Sequence, residues 1–497
     1  MRKLLLLLVL LGPLMLISCN DDNGDPADTT NPEVAILQPQ NGGSVPAADV
    51  LVRAQATDNQ GIAKVEFYAD GVKLGEDETG TANVYEYTWG AGSLTLGSSH
   101  IIRARAIDTS GNDGEATITA TIAAPGGTIH SEEIIADETW DPSGNPHIVT
   151  GAIGVTGGAT LTILPGCIVQ FEPDADAGIT VGWQPTTGAV VAVGTALHPI
   201  VFMSRAAVPQ RGDWRGLSFY GGMFETTHLS YCTIEYTGYD DAPAVYVAWG
   251  AALRMDHCTI RHAGGRGIGY EHEGHVEQFN NNTITTCAGY PLETEPEYVR
   301  HLGTGNSFTG NDPGKDKIML YDGGIVTSGT WRNQGVPFEV SVINEGGGIW
   351  ITPTDGTSPI LTIEAGTTIR FGVGAQLLVG YGGGSGGLIA VGTALLPITF
   401  TSASDTPQPG DWGQINFADG AVDGQCRLEH CVIEYGGRGA YGNVMVVDAL
   451  PTISNCTIRN GSSYGIYLAG GEYPAAGSLE TNNTFYNLTG ANVHVEP

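Results

Sequence analysis

The stretch Leu161-Thr162-Ile163-Leu164-Pro165-Gly166 is written again as Leu361-Thr362-Ile363-Glu364-Ala365-Gly366, and so is the chain around it. Gly194-Thr195-Ala196-Leu197-His198-Pro199-Ile200 returns as Gly392-Thr393-Ala394-Leu395-Leu396-Pro397-Ile398. Gly212-Asp213-Trp214 returns as Gly410-Asp411-Trp412, and Cys232-Thr233-Ile234-Glu235-Tyr236 as Cys431-Val432-Ile433-Glu434-Tyr435. The offset stays near 200 residues (161 to 361, 214 to 412, 232 to 431). Residues 131–320 therefore form one copy and 321–497 a second, and repetition on this scale is read before any local motif. A residue kept at one place in both copies is more readily scaffold than catalyst, so the duplication also filters the candidate sites.

Inside each copy runs a shorter unit of about 25 residues: a short alternating strand, a turn rich in Gly or Asn, and another strand. Cys232 and Cys258 are 26 residues apart, Cys431 and Cys456 are 25 apart, and each opens the same phrase, Cys-Thr/Val-Ile. Asn282-Thr283-Ile284 and Asn483-Thr484-Phe485 follow in turn. Cys, Cys, Asn thus recurs at one position of successive turns of a coil, where small thiols stack inside and asparagine amides bond to the next turn. With Cys19 set aside, seven cysteines remain: Cys167, Cys232, Cys258, Cys287, Cys426, Cys431 and Cys456. An odd number argues against a full disulfide framework, so free thiols are expected in the core. The phrases Leu-Thr-Ile-x-x-Gly, Gly-Thr-Ala-x-x-Pro-Ile, Gly-Asp-Trp and Ile-Glu-Tyr resemble the right-handed parallel β-helix repeat proteins of bacterial cell surfaces across 131–497. Each coil of such a fold buries its strands only by stacking on its neighbours. Pro337 to Leu361 is longer than Pro146 to Leu161, an insertion expected on the rim.

Ahead of the repeat, residues 31–123 alternate strand-like segments with turns: Val50 to Ala56, Ile62 to Ala69, Val84 to Trp89 and His100 to Ile107. Asp70-Gly71 between two such segments is a two-residue hairpin signal. Ala56-Thr57-Asp58-Asn59-Gln60-Gly61 is echoed by Ala106-Ile107-Asp108-Thr109-Ser110-Gly111-Asn112. This rhythm fits an immunoglobulin-like sandwich, and the wording resembles the bacterial Ig-like modules of secreted enzymes and adhesins. Ala124-Pro125-Gly126-Gly127 reads as a linker. The expected fold class is all-β: an Ig-like β-sandwich followed by an internally duplicated, right-handed parallel β-helix, with no long amphipathic helix.

The chain opens Met1-Arg2-Lys3 and then runs apolar from Leu4 to Ile17, a charged n-region and an h-region too short to span a bilayer. It ends Ser18-Cys19, which resembles the bacterial lipobox. That resemblance implies a signal peptide over 1–18 and lipid attachment at Cys19, with residues 19–30 as a polar tether. Asn20-Asp21-Asp22 after the cysteine resembles the surface-export signal of Bacteroidota lipoproteins. The expected location is the outer membrane of a Gram-negative bacterium, facing outward, with the membrane as partner through the anchor. The formal charge is −32, from 21 basic against 53 acidic residues, which excludes nucleic acid as a partner. Gly is 73 of 497 residues, mixed with Val, Ile and Thr, which fits many short strands and tight turns.

The candidate sites are few. Asp213, Asp411, Glu235 and Glu434 are two positions repeated, and alternation in Cys-x-Ile-Glu-Tyr puts the glutamates outside, as solvated face residues. Arg261 and Arg459 are likewise one position in two copies. Asp240 and Asp241 are copy-specific, since Gly436-Gly437-Arg438-Gly439 stands in the second copy. Adjacent aspartates resemble the paired acids of β-helix polygalacturonases and make these two the catalytic candidates, against a polar turn. They lack an evident base or basic clamp. Glu271-His272-Glu273-Gly274-His275, with Glu277 nearby, offers His272, Glu273 and His275 as metal candidates, though the spacing fits no standard zinc motif. No cofactor is expected, calcium alone being weighed: Glu293, Glu295 and Glu297 form an acidic loop without the spacing of a calcium loop, and Asp58 and Asp108 read as turn formers before calcium ligands. Trp183, Tyr220, Tyr239, Tyr246, Trp249 and Tyr270 in one copy, and Trp350 and Tyr381 in the other, either line a coil face and stack on sugars or, as the preferred reading of most of them, are packed at coil edges. The expected function is a non-enzymatic surface protein that binds glycan or a surface protein. The alternatives are a polysaccharide lyase or glycoside hydrolase, and an inert envelope element.

Overall fold

The computed structural model describes residues 28–497 apart from 96, 124–126, 174–175, 342–346, 354 and 440. The proposed signal peptide, Cys19, most of the tether and the centre of the 124–127 linker lie outside the described residues. The chain divides into two compact units, one of residues 28–36, 52–87 and 101–117, the other of 37–51, 88–100 and 118–497.

In the first unit, Ile62–Ala69 pairs antiparallel with Ser99–Asp108 and Val72–Asp77. Strand alternation buries Val65 and Phe67 on one strand and Ile102, Ala104 and Ala106 on the other. Asp70 and Gly71 both take positive φ (49° and 81°), the two-residue hairpin turn expected of Asp-Gly. The strands from Glu33 to Ala123 form a three-stranded and a five-stranded sheet, an Ig-like arrangement.

From Thr128–His130 onward the chain is a right-handed parallel β-helix. One sheet of 13 parallel strands runs from Ala152–Val155 to Thr484–Tyr486. Sheets of seven and six strands flank its first part, and sheets of seven and five flank its second. Single residues in the left-handed region turn the corners: Tyr231, His257 and Asn281 (φ 49°, 52° and 55°) each separate two strands. The aromatic ones stack from coil to coil, with Tyr231 and His257 at 4.5 Å and Tyr236 and His262 at 5.2 Å. Among the described residues the one α-helix is Ala476–Asn482.

The Cys–Cys–Asn position lies inside, as its phrase implies. The Cys258 amide donates to Asn282 Oδ1 at 2.8 Å, and Asn282 Nδ2 donates to the Met255 carbonyl at 3.0 Å. The ladder runs one coil further than the phrase does, because the Asn282 amide donates to Asn306 Oδ1 at 3.0 Å. In the second copy the Cys456 amide donates to Asn483 Oδ1 at 2.9 Å. All seven described cysteines are buried and unpaired. Burial pushes the Cys167 thiol up to about 12 and those of Cys287 and Cys426 up to about 11, so they are inert thiols.

The two copies are continuous but out of phase. The junction at 320/321 falls inside strand Ile318–Tyr321 of the long sheet. Thr368–Phe371 lies in that sheet, whereas its first-copy counterpart Ile168–Phe171 lies in the flanking seven-stranded sheet. Equivalent residues of the two copies therefore face different sides of the coil, and each face pairs one role from the first copy with another from the second.

The first coil carries a pH-sensitive ring stack. The rings of Trp140, His130 and His147 pack against one another, with Trp140 at 4.0 Å from His130 and 5.1 Å from His147, and the two histidines at 5.3 Å. His147 Nε2 faces the Asp141 carbonyl at 2.9 Å, which can only accept, so this nitrogen carries the proton. Its Nδ1 then accepts from His130 Nε2 at 3.0 Å. Protonating His147 would set two N–H groups against each other, and burial already holds both histidines below the ordinary 6.5. A histidine depressed in the folded state takes up its proton first in the unfolded chain. β-Helix stability is therefore full above pH 6.5 and falls as pH drops through it, by at most about 1.4 kcal/mol per pH unit for each group. Melting curves from pH 8 to 5 should show this loss, and a His147→Asn variant should show a shallower one. Parallel pH profiles for the two proteins would contradict the assignment.

Candidate functional site

Most duplicated acids are structural. Asp213 accepts from the Gln210 amide at 2.9 Å and Asp411 from Gln408 at 2.9 Å, each also holding a serine hydroxyl, Ser204 or Ser402. Trp214 and Trp412 are fully buried, and their Nε1 groups donate to the carbonyls of Glu235 and Glu434 at 2.9 and 2.8 Å. Glu235 and Glu434 are not solvated, contrary to the alternation argument: they are 6% and 9% exposed. They do point away from the core, but the next coil covers them. Arg261 Nε donates to Glu235 and Arg459 Nε to Glu434, both at 2.6 Å. The coil-length spacings 235 to 261 and 434 to 459 already encode this pairing.

The metal candidates at 271–277 and the acidic residues at 293–297 are not gathered around one point. His272, Glu273 and His275 do not converge: His272 and Glu273 sit in a left-handed turn (φ 46° and 63°), with the His272 ring 4.6 Å from Trp249. The His275 ring instead stacks on Tyr298 at 3.9 Å, and burial lowers its pKa. Glu293 lies in strand Leu292–Thr294 and binds Arg266 at 2.9 Å. Glu297 pairs with Arg300 at 2.5 Å and accepts the Val326 amide at 2.8 Å. Glu295 is half-buried, which together with Glu273 and Glu297 raises its pKa. Among the described residues, the one group of three metal-type ligands within 4.8 Å of one another is Asp28, Asp58 and Asp108.

Asp240 and Asp241 lie in the short turn Tyr239–Asp241, with positive φ (54° and 63°), on the way into strand Val245–Ala248. Asp241 lines a cleft of about 440 Å³ with Arg266, Tyr290, Glu293 and Lys315. The Lys315 ammonium lies 4.4 Å from the Tyr290 ring centre. A basic pair, Arg266 and Lys315, thus lines the cleft with Asp241, the Arg266 guanidinium being held by Glu293 at 2.9 Å. Its signal was the spacing: 241 to 266 is one coil length, and 266 to 315 about two.

On the same sheet the aromatic candidates converge. Strands Gly178–Val181, Gly216–Tyr220 and Val245–Ala248 are consecutive neighbours in parallel register. Trp183 follows the first, Tyr220 ends the second and Trp249 follows the third. Together with Gln184 they line a pocket of about 190 Å³. Trp183 and Trp249 remain 55% and 54% exposed, large for indoles. Trp183 meets Tyr220 edge-on at 4.6 Å, and Tyr220 meets Tyr246 edge-on at 5.9 Å. Tyr220, Tyr246, Arg215 and Ser218 line an adjoining pocket of about 220 Å³. The Tyr246 hydroxyl is bonded to Glu271, and burial with that carboxylate raises its pKa. Tyr270 instead leans on Tyr321 at 5.8 Å.

The second copy lacks this constellation. Gly182 and Gly380 share a left-handed turn (φ 71° and 67°), and a Cβ on either would strike the backbone of Met223 or Ala421. That fixes the correspondence, which the register Val181↔Phe219↔Val247 and Val379↔Phe417↔Val446 extends. Tyr381, Ala418 and Asp448 stand where the first copy has Trp183, Tyr220 and Trp249. Scaffold demands at these places are met without the aromatic trio.

Residues 32–120 match the family described as Bacterial Ig domain, and residues 132–227 match the Pectate-lyase like beta helix domain. The class so defined is a bacterial Ig module followed by a parallel β-helix whose first part, residues 132–227, matches the pectate-lyase-like model. No curated protein matches the chain. Among solved structures, the fibronectin(III)-like modules of Clostridium thermocellum CbhA are similar at 24% identity and TM-score 0.16, over 19% of this chain and 48% of that one. The chain thus spans about half the length of that structure. The endo-beta-1,4-mannanase from Thermotoga petrophila is similar at 16% identity and TM-score 0.17, covering 20% and 21% of the two chains. The catalytic domain of GH87 alpha-1,3-glucanase in complex with nigerose is similar at 11% identity and TM-score 0.20, covering 93% and 99%.

Proposed function

We propose that this is a polysaccharide-binding protein of the bacterial surface, anchored by lipid at Cys19, with residues 31–123 as spacer and 131–497 as the binding body. The observation that carries the binding is the aromatic pocket of Trp183, Tyr220 and Trp249, present in the first copy alone. Indole and phenol faces pack against the C–H faces of sugar rings, while Gln184, Ser218 and Arg215 offer hydrogen bonds to hydroxyls. The name of the matched family, pectate-lyase like, agrees with a polysaccharide ligand. The described residues that line the pocket include no carboxylate pair, and the reading taken is binding without cleavage.

A second reading, polysaccharide cleavage, draws on the cleft in which Asp241 stands with Arg266 and Lys315. One experiment separates the two. The purified protein is titrated with neutral and acidic polysaccharides, and reducing ends and unsaturated products are followed over long incubation. Binding without product, weakened about tenfold (about 1.4 kcal/mol) or more in Trp183→Ala/Trp249→Ala at unchanged circular dichroism, is expected. Unchanged affinity in that variant, or no binding to any glycan, sinks the first reading. Turnover that disappears in Asp240→Asn/Asp241→Asn installs the second. In cells, Cys19→Ala should abolish partitioning into the detergent phase; full retention would remove the anchor from the proposal.

A further inference from the structure

The two echoed turns of the Ig-like module meet at one end of it. Asp58 follows strand Asp49–Thr57, and Asp108 ends strand Ser99–Asp108. The turns are tied together by Thr109, whose amide and hydroxyl donate to the carbonyls of Gly61 and Gln60, both at 3.1 Å. Asp28, in the segment ahead of the first strand, completes a triad whose facing oxygens all lie within 4.8 Å of one another.

Three negative charges at this separation repel unless something stands between them. Neighbouring groups do orient them. Asp108 is 2% exposed and accepts from the amides of Ser110 and Asn112 at 2.7 and 2.9 Å. Asp58 Oδ2 accepts the Gln60 amide at 2.8 Å, and Asp28 Oδ1 accepts the Thr30 amide at 3.1 Å. Each of the last two carboxylates has its other oxygen left over. Asp28 Oδ2 and Asp58 Oδ1 each expose less than 1 Å² to solvent and have no hydrogen-bond partner. Among the described residues no lysine or arginine pairs with any of the three. An orphaned, water-excluded carboxylate oxygen is costly. Two of them, in a triad already closed by a buried third carboxylate, call for a cation.

We propose that Asp28, Asp58 and Asp108 bind a calcium ion. The donors are all hard oxygens, with no nitrogen or sulfur, which selects calcium or magnesium over transition metals. Oxygens sharing one calcium at 2.3–2.6 Å stand at most about 5 Å apart, and this triad meets that limit. Magnesium, smaller and reluctant to dehydrate, would keep more of its water. The ion would fasten the segment around Asp28 to both turns and fix how the chain enters the module. This site is independent of the glycan pocket, which lies in the other compact unit.

The test uses the full chain, stripped with EDTA and desalted, then titrated with calcium chloride by calorimetry and by thermal melting. A module of this kind should bind at about 10⁻⁴–10⁻³ M and melt higher with calcium than with EDTA. Asp58→Asn/Asp108→Asn should abolish the uptake. Asp28→Asn lies outside both turns and so spares the fold; it should weaken binding about tenfold or more, one of three carboxylates being neutralised. Glu295→Gln should leave it unchanged. No uptake by the wild type up to about 10 mM, well above that range, overturns the proposal. So does uptake that Asp28→Asn leaves intact, or uptake lost in Glu295→Gln. An equal response to magnesium overturns the assignment to calcium.

Discussion

Replacing Trp214 by alanine should lower the stability of the β-helix by about 3–5 kcal/mol, whereas Trp183→Ala should cost less than about 1 kcal/mol. Both are tryptophans of the first copy, and composition alone does not separate them. Trp214 is completely buried, lies flat on Phe171 at 3.7 Å and 2°, and spends its indole N–H on the Glu235 carbonyl. Truncation removes the ring's dispersion contacts, leaves a cavity between two coils and orphans a carbonyl. The neighbouring coils feel the loss because each is stable only against its neighbours. Trp183 gives up little, since more than half of it faces solvent. Urea denaturation of both variants measures the contrast. Equal destabilisation would mean that Trp183 belongs to the core and that the pocket is a packing feature.

The same contrast shows what the sequence could and could not tell. Trp214 is legible because Gly-Asp-Trp returns at 410–412, and duplication marks scaffold. The coil itself is legible because its period survives in Cys232, Cys258, Asn282 and in Cys431, Cys456, Asn483. The aromatic pocket is not periodic. Trp183, Tyr220 and Trp249 are separated by 37 and 29 residues, because loops of different length intervene between strands that nonetheless stack in register. Only the register shows that these residues meet. The burial of Glu235 escaped for a different reason. Alternation correctly aims the side chain outward, but it is silent about Arg261 one coil later, which lies across it. The phase shift between copies was equally hidden, since offsets in sequence say nothing about which face a strand joins.

Asn282→Ala should destabilise the β-helix by about 2–6 kcal/mol, from two buried backbone groups at about 1–3 kcal/mol each. The amide side chain is fully buried and works in both directions: its Oδ1 takes the Cys258 N–H, and its Nδ2 serves the Met255 carbonyl. Alanine satisfies neither, and no water has an obvious way into a core this apolar. Asn282→Cys is the informative companion. One coil earlier the same place is held by Cys258, whose sulfur lies 3.4 Å from the Cys232 amide and acts as a weak acceptor. Cysteine at 282 should therefore fit the stack, restore a poor acceptor for the Cys258 amide and leave only the Met255 carbonyl unserved. The expected order of melting temperatures is wild type, then Asn282→Cys, then Asn282→Ala. If alanine melted above cysteine, volume rather than hydrogen bonding would govern the ladder. The recurrence of Cys and Asn would then reflect small size alone. If the expected order holds, the ladder is a column in which either residue suffices for packing and asparagine is placed where two backbone groups need partners. That explains why the column ends in asparagines: Asn282 hands its own amide to Asn306, and Cys456 hands its amide to Asn483, near the last coils of each copy.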